Sequence, residues 1–252
     1  MNRLSHQQLK RLFFLIILCI GLNSCASIET IPLPPEPIKT PLPKTSATHT
    51  IAPGETLWRL SQMYDVPVGT IMRANELTSK DDVHLGQTLT IPGASKIKPV
   101  ISLFPSRKWK YIIIHHSATT EGNSLSFNKS HLDKGWDQGV GYNFVIDNGK
   151  SGKEDGQIEV TPRWLKQEDG AHCKASNMNT KAIGICLVGN FNEEKVSHKQ
   201  LDSLAYLVNK LRKYYLIPMR NILGHRDVPE SSTLCPGDKF PWPKFKEKLR
   251  NL

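Results

Sequence analysis

The chain has 252 residues, with 33 Lys+Arg against 23 Asp+Glu and a formal net charge of +10. Hydrophobic residues make up 38% of the sequence and charged residues 22%. This composition excludes a wholly disordered chain, a collagen and a coiled coil, and the length allows one large domain or two smaller ones. The five cysteines are too few and too scattered for a disulfide framework.

The first 24 residues have the features of a secretory signal. Three basic residues and no acidic residue accompany an apolar run at 12–22, which is too short to span a bilayer as a helix. The sequence Leu22-Asn23-Ser24-Cys25 resembles a bacterial lipobox, although asparagine is unusual at its second position. We predict a signal peptide over 1–24 and a lipid anchor on Cys25, with ordinary cleavage or an uncleaved anchor as the alternatives. The expected compartment is oxidising and extracytoplasmic.

A proline-rich segment follows the predicted lipid cysteine. Residues 26–48 contain six prolines and no apolar periodicity, so we interpret 25–48 as the lipidated cysteine and a tether. In polyproline geometry the tether reaches at most roughly 70 Å, at ~3.1 Å per residue. Ala26 after the cysteine favours the outer membrane, so we expect a secreted protein that is anchored there and faces the periplasm. An anchor and a stiff tether disfavour a soluble metabolic enzyme.

Residues 49–92 have the pattern of a small domain. Leu57, Leu60 and Tyr64 recur at helical spacing, and a proline then opens a second short helix. The stretch 86–92 alternates like a short strand and ends at a proline. The pattern therefore predicts a strand, two helices and a strand in βααβ order.

Several features of this block together resemble a LysM domain: Pro53-Gly54-Glu55-Thr56-Leu57-Trp58, Tyr64-Asp65-Val66-Pro67-Val68, Ile71 with Asn75, and Leu85 to Pro92. LysM domains bind glycans containing N-acetylglucosamine, in a groove between the first strand–helix loop and the second helix–strand loop. The resemblance implies a groove with Gly54, Glu55, Thr56 and Leu57 on one side and Ile91 on the other. Core packing is the preferred interpretation of the Leu57 side chain. With five acidic and three basic residues, the block does not attract polyanions by charge alone.

Residues 93–108 have the composition of a second linker, and a larger block follows over 109–252. Three buried strands and one short strand are predicted at 111–114, 141–147, 182–188 and 157–160. Helices are predicted over 124–136 and after a capping box at Ser197, the latter ending before Pro218. Because strands and helices interleave, we predict an α/β domain whose mixed central sheet is flanked by helices.

Three residues of this block are candidates for a metal site. His115 ends the first buried strand, where the sites of α/β proteins collect, and the adjacent His116 points to the opposite face. His225 and Cys235 are ten residues apart, in a stretch whose prolines force a loop that can present both to one ion. Two histidines and one cysteine suit Zn²⁺ and leave a fourth position for water. Spacing alone is a weak signal, because a lone histidine is usually structural.

Four motifs occur in one order along the block: Ile114-His115-His116-Ser117-Ala118-Thr119, Gly135-Trp136 with Val140-Gly141-Tyr142-Asn143-Phe144, Ile183 to Asn190, and Gly224-His225-Arg226-Asp227-Val228 with Thr233-Leu234-Cys235-Pro236-Gly237. Together they resemble the zinc-dependent N-acetylmuramoyl-L-alanine amidases, the family that includes phage lysozyme-type amidases and peptidoglycan recognition proteins. The resemblance implies hydrolysis of the amide bond between N-acetylmuramic acid and L-alanine in peptidoglycan.

The resemblance also implies a role for each matching residue. The three candidate ligands would hold Zn²⁺, and Tyr142 would be the catalytic tyrosine that stabilises the developing oxyanion. Thr233 stands where family members place a lysine or a threonine, and would act as a neutral donor. His172 matches a histidine of the substrate cleft, although a structural role fits it equally.

Two departures from the family pattern bear on the mechanism. Cys186 stands where a related subgroup has a glutamate general base, and a thiol in a buried strand is a poor base, so the chain resembles the tyrosine-using members. The spacing between His225 and Cys235 is two residues longer than in the phage type. Whether Cys173 and Cys186 pair in an oxidising compartment stays open at this point.

The positive charge lies mainly in the second half of the chain. Residues 93–252 carry 25 Lys+Arg and 16 Asp+Glu, a net charge of +9. This charge either attracts carboxylate-rich stem peptides or belongs to a basic surface that is only solvated. Two other functions stay open: a peptidoglycan receptor without catalysis, and a structural tie between envelope and wall. We expect no nucleic-acid binding, because a basic stripe with interleaved aromatic residues is missing.

Overall fold

The structure is a computed structural model that describes residues 46–94, 96–106 and 108–252. The predicted signal peptide, the lipid cysteine Cys25 and nearly all of the proline-rich tether lie outside these residues. Within the described part of the chain, every helix is too short or too polar to cross a bilayer.

The small domain is a two-stranded sheet with two helices. Its elements are β1 (Ser46–Thr50), α1 (Leu57–Tyr64), α2 (Val68–Ala74) and β2 (Thr88–Pro92). The strands pair antiparallel, with Thr48 opposite Thr90. Leu60 and Ile71 are fully buried in a core that both helices and both strands share. The predicted βααβ order is confirmed, because the apolar positions at helical spacing form this core.

The large domain alternates strands and helices. Its elements are β3 (Tyr111–His116), α3 (Ser124–Asp133), β4 (Phe144–Asn148), β5 (Asp155–Val160), α4 (Pro162–Leu165), α5 (Met178–Lys181), β6 (Ala182–Leu187), α6 (His198–Tyr215), β7 (Ile222–Gly224) and α7 (Trp242–Arg250). Short 3₁₀ turns precede α5 and flank β7. α3 ends three residues earlier than predicted, since Gly135 takes a left-handed conformation with φ +79°.

Five strands form a mixed sheet in the order β5-β4-β6-β3-β7. Only β5 runs antiparallel to its neighbour, whereas β4, β6, β3 and β7 pair in parallel. The predicted α/β architecture with a mixed central sheet is therefore confirmed. The carboxyl ends of β3, β6 and β7 meet at one edge, which is where parallel sheets collect functional side chains.

The two faces of the sheet have different roles. One face packs Ile112, Ile114 and Phe144 against α6 and α7 in the main core. Helix α6 begins at the predicted capping box, where Ser197 Oγ accepts a hydrogen bond from Gln200 N at 3.0 Å. The alternate residues of β3 and β6, which include His115, point to the other face. That second face carries the site described next.

Candidate active site

His115, His225 and Cys235 converge at the carboxyl edge of the sheet. Parallel pairing of β3 with β7 sets Ile114 opposite Gly224, so His115, within β3, and His225, the first residue after β7, lie at the same level of the sheet. The two imidazole rings lie 4.6 Å apart between centroids. Arg226 N donates to Cys235 O at 2.7 Å, which closes the intervening loop at its base. One ligand atom from each of the three residues lies within 4.8 Å of the others.

This donor set fits a zinc ion. His115 Nδ1 lies 3.6 Å from Cys235 Sγ, and zinc bond lengths of about 2.0 and 2.3 Å place a tetrahedral N–S ligand pair about 3.5 Å apart. Burial lowers the pKa of His115 well below its ordinary value and lowers that of His225, so both imidazoles are neutral, as metal ligands must be. Burial raises the pKa of the Cys235 thiol to about 12, so metal binding has to release its proton.

Tyr142 and Thr233 lie beside this cluster. The Tyr142 ring is 5.3 Å from the His115 ring, and its hydroxyl hydrogen-bonds the Cys186 side chain. Burial raises the pKa of Tyr142 well above its ordinary value, so the phenol keeps its proton. Thr233 Oγ1 accepts a hydrogen bond from Cys235 N at 3.1 Å, which ties it to the end of the loop between His225 and Cys235. Their catalytic roles stay predictions.

His172 is buried behind His115, away from solvent. Its Nδ1 lies 3.1 Å from His115 Nε2, and its Nε2 lies 3.3 Å from the carbonyl oxygen of Ala182. Both ring nitrogens therefore have partners inside the protein. The resemblance implies either a place in the substrate cleft or a structural role for this residue, and substrate binding by it stays a prediction.

The other histidine and cysteine residues of the site lie where the strand alternation predicts. His116 points to the opposite face, where its Nδ1 accepts a hydrogen bond from Phe191 N at 3.1 Å. Cys186 lies on the same face as His115 in the adjacent strand, fully buried, and burial raises its pKa well above the ordinary value. Cys173, Cys186 and Cys235 are all free thiols, so the structure forms no Cys173–Cys186 disulfide.

In the small domain, the residues predicted to bind glycan are partly structural. The Glu55 carboxylate accepts hydrogen bonds from His49 Nε2 at 2.7 Å and from Ala52 N at 2.8 Å, and its side chain is only 4% exposed. The side chains of Leu57 and Ile91 lie in the core. Gly54 and Thr56 are exposed at the surface. Glycan binding by this group stays a prediction, and backbone groups and Thr56 are what it presents to solvent.

A buried charge cluster that the sequence pattern does not indicate lies where the two domains meet. Lys153 Nζ donates to the carbonyl oxygen of Thr50 at 3.2 Å and lies 3.3 Å from Glu159 Oε2. Asp147 is fully buried close to this pair, and burial followed by the Glu159 charge raises its pKa well above the ordinary value. The signal in the sequence is that Asp147 and Glu159 lie within predicted strands. The alternation of apolar and polar residues does not show that Lys153 lies beside them.

Comparisons with known proteins agree with this architecture. The family model of N-acetylmuramoyl-L-alanine amidase matches residues 105–238, more than half of the chain, and the LysM domain model matches residues 49–92. Peptidoglycan-recognition protein SC2 of Drosophila simulans is 31% identical over 137 residues, which cover 50% of this chain and 67% of the relative. The peptidoglycan recognition protein of Trichoplusia ni is 30% identical over 155 residues, which cover 57% and 78%.

Among solved structures, N-acetylmuramoyl-L-alanine amidase LysC from Clostridium intestinale URNW is 32% identical, with a TM-score of 0.47. The match covers 61% of this chain and 95% of that structure. The match of the family model, together with the extent of the insect relatives, establishes the assignment. The chain therefore belongs to the N-acetylmuramoyl-L-alanine amidase family and carries a LysM domain ahead of its amidase domain.

Proposed function

We propose that this protein is a zinc-dependent amidase that hydrolyses the bond between N-acetylmuramic acid and L-alanine in peptidoglycan. The observation that carries the proposal is the cluster of His115, His225 and Cys235 at the sheet edge, with Tyr142 beside it. Membership of the amidase family supports the reaction class, whereas the relatives named for recognition leave catalysis to be tested.

The three clustered residues are the ones that would hold the metal. When bound, Zn²⁺ supplies a Lewis acid that polarises the scissile carbonyl and acidifies a water molecule. One neutral imidazole would come from β3, the second from the 3₁₀ turn directly after the adjacent parallel strand β7, and the thiolate from the loop that follows. His115 and Cys235 are buried whereas His225 is half-buried, so substrate would approach the cluster from the side of His225.

Tyr142 and Thr233 complete the catalytic machinery in this proposal. The Tyr142 phenol stays protonated because its pKa is raised, so it can donate a hydrogen bond to the oxygen on which negative charge develops. The Thr233 hydroxyl accepts from Cys235 N, which leaves its own proton free to donate to the substrate carbonyl. The Cys186 thiol is fully buried and does not serve as a general base.

Substrate binding in this proposal uses both domains. The LysM domain binds the glycan strand through its exposed first loop, and the amidase domain binds the stem peptide. The net charge of +9 over 93–252 supports the second part, since a cationic surface raises the local concentration of carboxylate-rich peptides. We further propose a lipid anchor on Cys25 that holds the protein at the periplasmic side of the outer membrane, which the lipobox-like sequence supports.

The purified protein, solubilised in detergent, is incubated with isolated cell-wall sacculi, with and without a chelator. Released material is read by mass spectrometry. Stem peptides with a free N-terminal L-alanine, lost on chelation and restored by Zn²⁺, are the expected result. The Cys235→Ser variant is the matched control, because it removes one ligand and leaves the rest of the surface intact. Tight binding to sacculi without released peptide and without zinc would instead make the protein a non-catalytic receptor or wall anchor.

A further inference from the structure

His172 and His115 form a chain of hydrogen bonds that ends on a backbone carbonyl. The carbonyl of Ala182 only accepts, so the His172 Nε2 atom that lies 3.3 Å from it carries the ring proton. In a neutral imidazole the other nitrogen is then an acceptor, and His172 Nδ1 faces His115 Nε2 at 3.1 Å. His115 Nε2 therefore carries its own proton. This leaves a lone pair on His115 Nδ1, the atom that faces Cys235 Sγ.

The fold holds the His172 ring in a slot between two glycines. A Cβ atom on Gly184 of β6 would lie 2.3 Å from His172 Cδ2, and one on Gly170 would lie 2.4 Å from the same atom. Neither glycine has a positive φ, so the backbone conformation does not require glycine at these positions. Glycine is needed there because the His172 ring fills the space that a side chain would occupy. Asn179 Oδ1 accepts a hydrogen bond from His172 N at 2.8 Å and so fixes the backbone of this residue.

We propose that His172 is a positioning residue that orients His115 and directs its Nδ1 lone pair at the metal, and that it does not contact substrate. The inference rests on the zinc site of the proposed function and names a partner for one ligand. An imidazole ligand with a fixed second nitrogen keeps one tautomer and one ring orientation, and losing such a partner typically lowers metal affinity by about 10- to 100-fold. With both nitrogens engaged inside the protein, the His172 ring has no polar atom left for a stem peptide.

The test compares three variants of the full chain by competition with a chromogenic zinc chelator. His172→Phe keeps a ring in the slot but offers no acceptor to His115. His172→Asn places an amide oxygen near the Nδ1 position, and His172→Gln places its amide near the Nε2 position. We expect zinc affinity to fall about 10- to 100-fold in His172→Phe and His172→Gln, and to stay within a few-fold of wild type in His172→Asn.

A second readout separates positioning from substrate contact. At saturating zinc, a positioning role predicts an unchanged KM for sacculus fragments in His172→Asn, whereas a substrate contact predicts a raised KM with unchanged zinc affinity in every variant. Far-UV circular dichroism checks folding, and the Asn/Gln pair still decides the matter if the Phe variant does not fold. Equal zinc affinity in the wild type and His172→Gln would overturn the inference while leaving the amidase proposal intact. A wild-type protein that binds no zinc would overturn both.

Discussion

Lys153 is the cation of the buried cluster where the LysM and amidase domains meet, and replacing it tests how that contact is held. Its side chain is 4% exposed and that of Glu159 is 1% exposed, so neither charge reaches water. The Lys153→Met variant keeps most of the side-chain volume and removes the charge. It also removes the hydrogen bond to Thr50 O in the LysM domain.

The structure sets the size of the effect. Opposite charges 3.3 Å apart attract by about 5 kcal/mol at an effective dielectric constant of about 20. Breaking a buried pair by removing one partner typically costs 3–5 kcal/mol, because the other charge stays buried without compensation. Here Glu159 keeps hydrogen bonds from Ser124 N and Ser124 Oγ, which stabilise its charge. We therefore expect a loss of about 3 kcal/mol in the free energy of unfolding at pH 7.

Urea unfolding followed by tryptophan fluorescence measures this loss, with Lys150→Met as the control. Lys150 is exposed in the same hairpin, and its replacement should change stability by less than about 0.5 kcal/mol. The Lys153 charge offsets part of the rise in the pKa of Asp147, so without the lysine Asp147 holds its proton more tightly in the folded state. The deficit of Lys153→Met should therefore shrink as the pH falls from 7 to 5. A deficit below about 1 kcal/mol at pH 7, or one that does not change with pH, would refute the reasoning.

Three further predictions concern the site and its core. Tyr142→Phe should lower kcat by about 10²- to 10³-fold while zinc content, measured by atomic absorption, stays at the wild-type level, because the change removes a donor to the developing negative charge and leaves His115, His225 and Cys235 in place. Burial lowers the pKa of His172 to about 3, from an ordinary value of 6.5. Between pH 6.5 and about 3 the unfolded chain therefore binds a proton at His172 that the folded protein does not bind. The free energy of unfolding of the metal-free protein, measured by urea titration, should fall as the pH falls through this range. Trp164→Ala should cost about 3–5 kcal/mol in the same titrations, since this side chain is fully buried against Phe144 and Trp109.

Much of this fold follows from local sequence pattern. The continuous apolar run at 111–114 is a central strand, and the capping box at Ser197 starts α6 as predicted. The strand predicted from Gly141 begins three residues later, because the side-chain oxygen of Asn143 accepts the Gly184 N–H at 2.8 Å in place of a backbone carbonyl. A hydrogen bond to a side chain in place of a backbone carbonyl leaves no trace in the alternation of apolar and polar residues along the sequence.

The site itself was predicted in part. The motifs named the three clustered residues, and strand alternation separated His115 from His116, because side chains of consecutive strand residues point to opposite faces. The contact of His172 with His115 joins residues 57 positions apart and depends on two glycines that make room for a ring. The meeting of the two domains at Lys153 depends on a carbonyl oxygen, which every residue type supplies. Sequence pattern does not encode contacts of these two kinds.

The loop between His225 and Cys235 has a consequence for how this family can vary. The hydrogen bond from Arg226 N to Cys235 O, at 2.7 Å, joins the start and the end of the loop, so residues 227–234 form a closed loop whose two ends lie together. Insertions or deletions in such a closed loop change how far it extends from the domain and leave its two ends together. The spacing between His225 and Cys235 can therefore differ between relatives without separating the two side chains, and a search for such sites by fixed spacing would overlook members with longer loops.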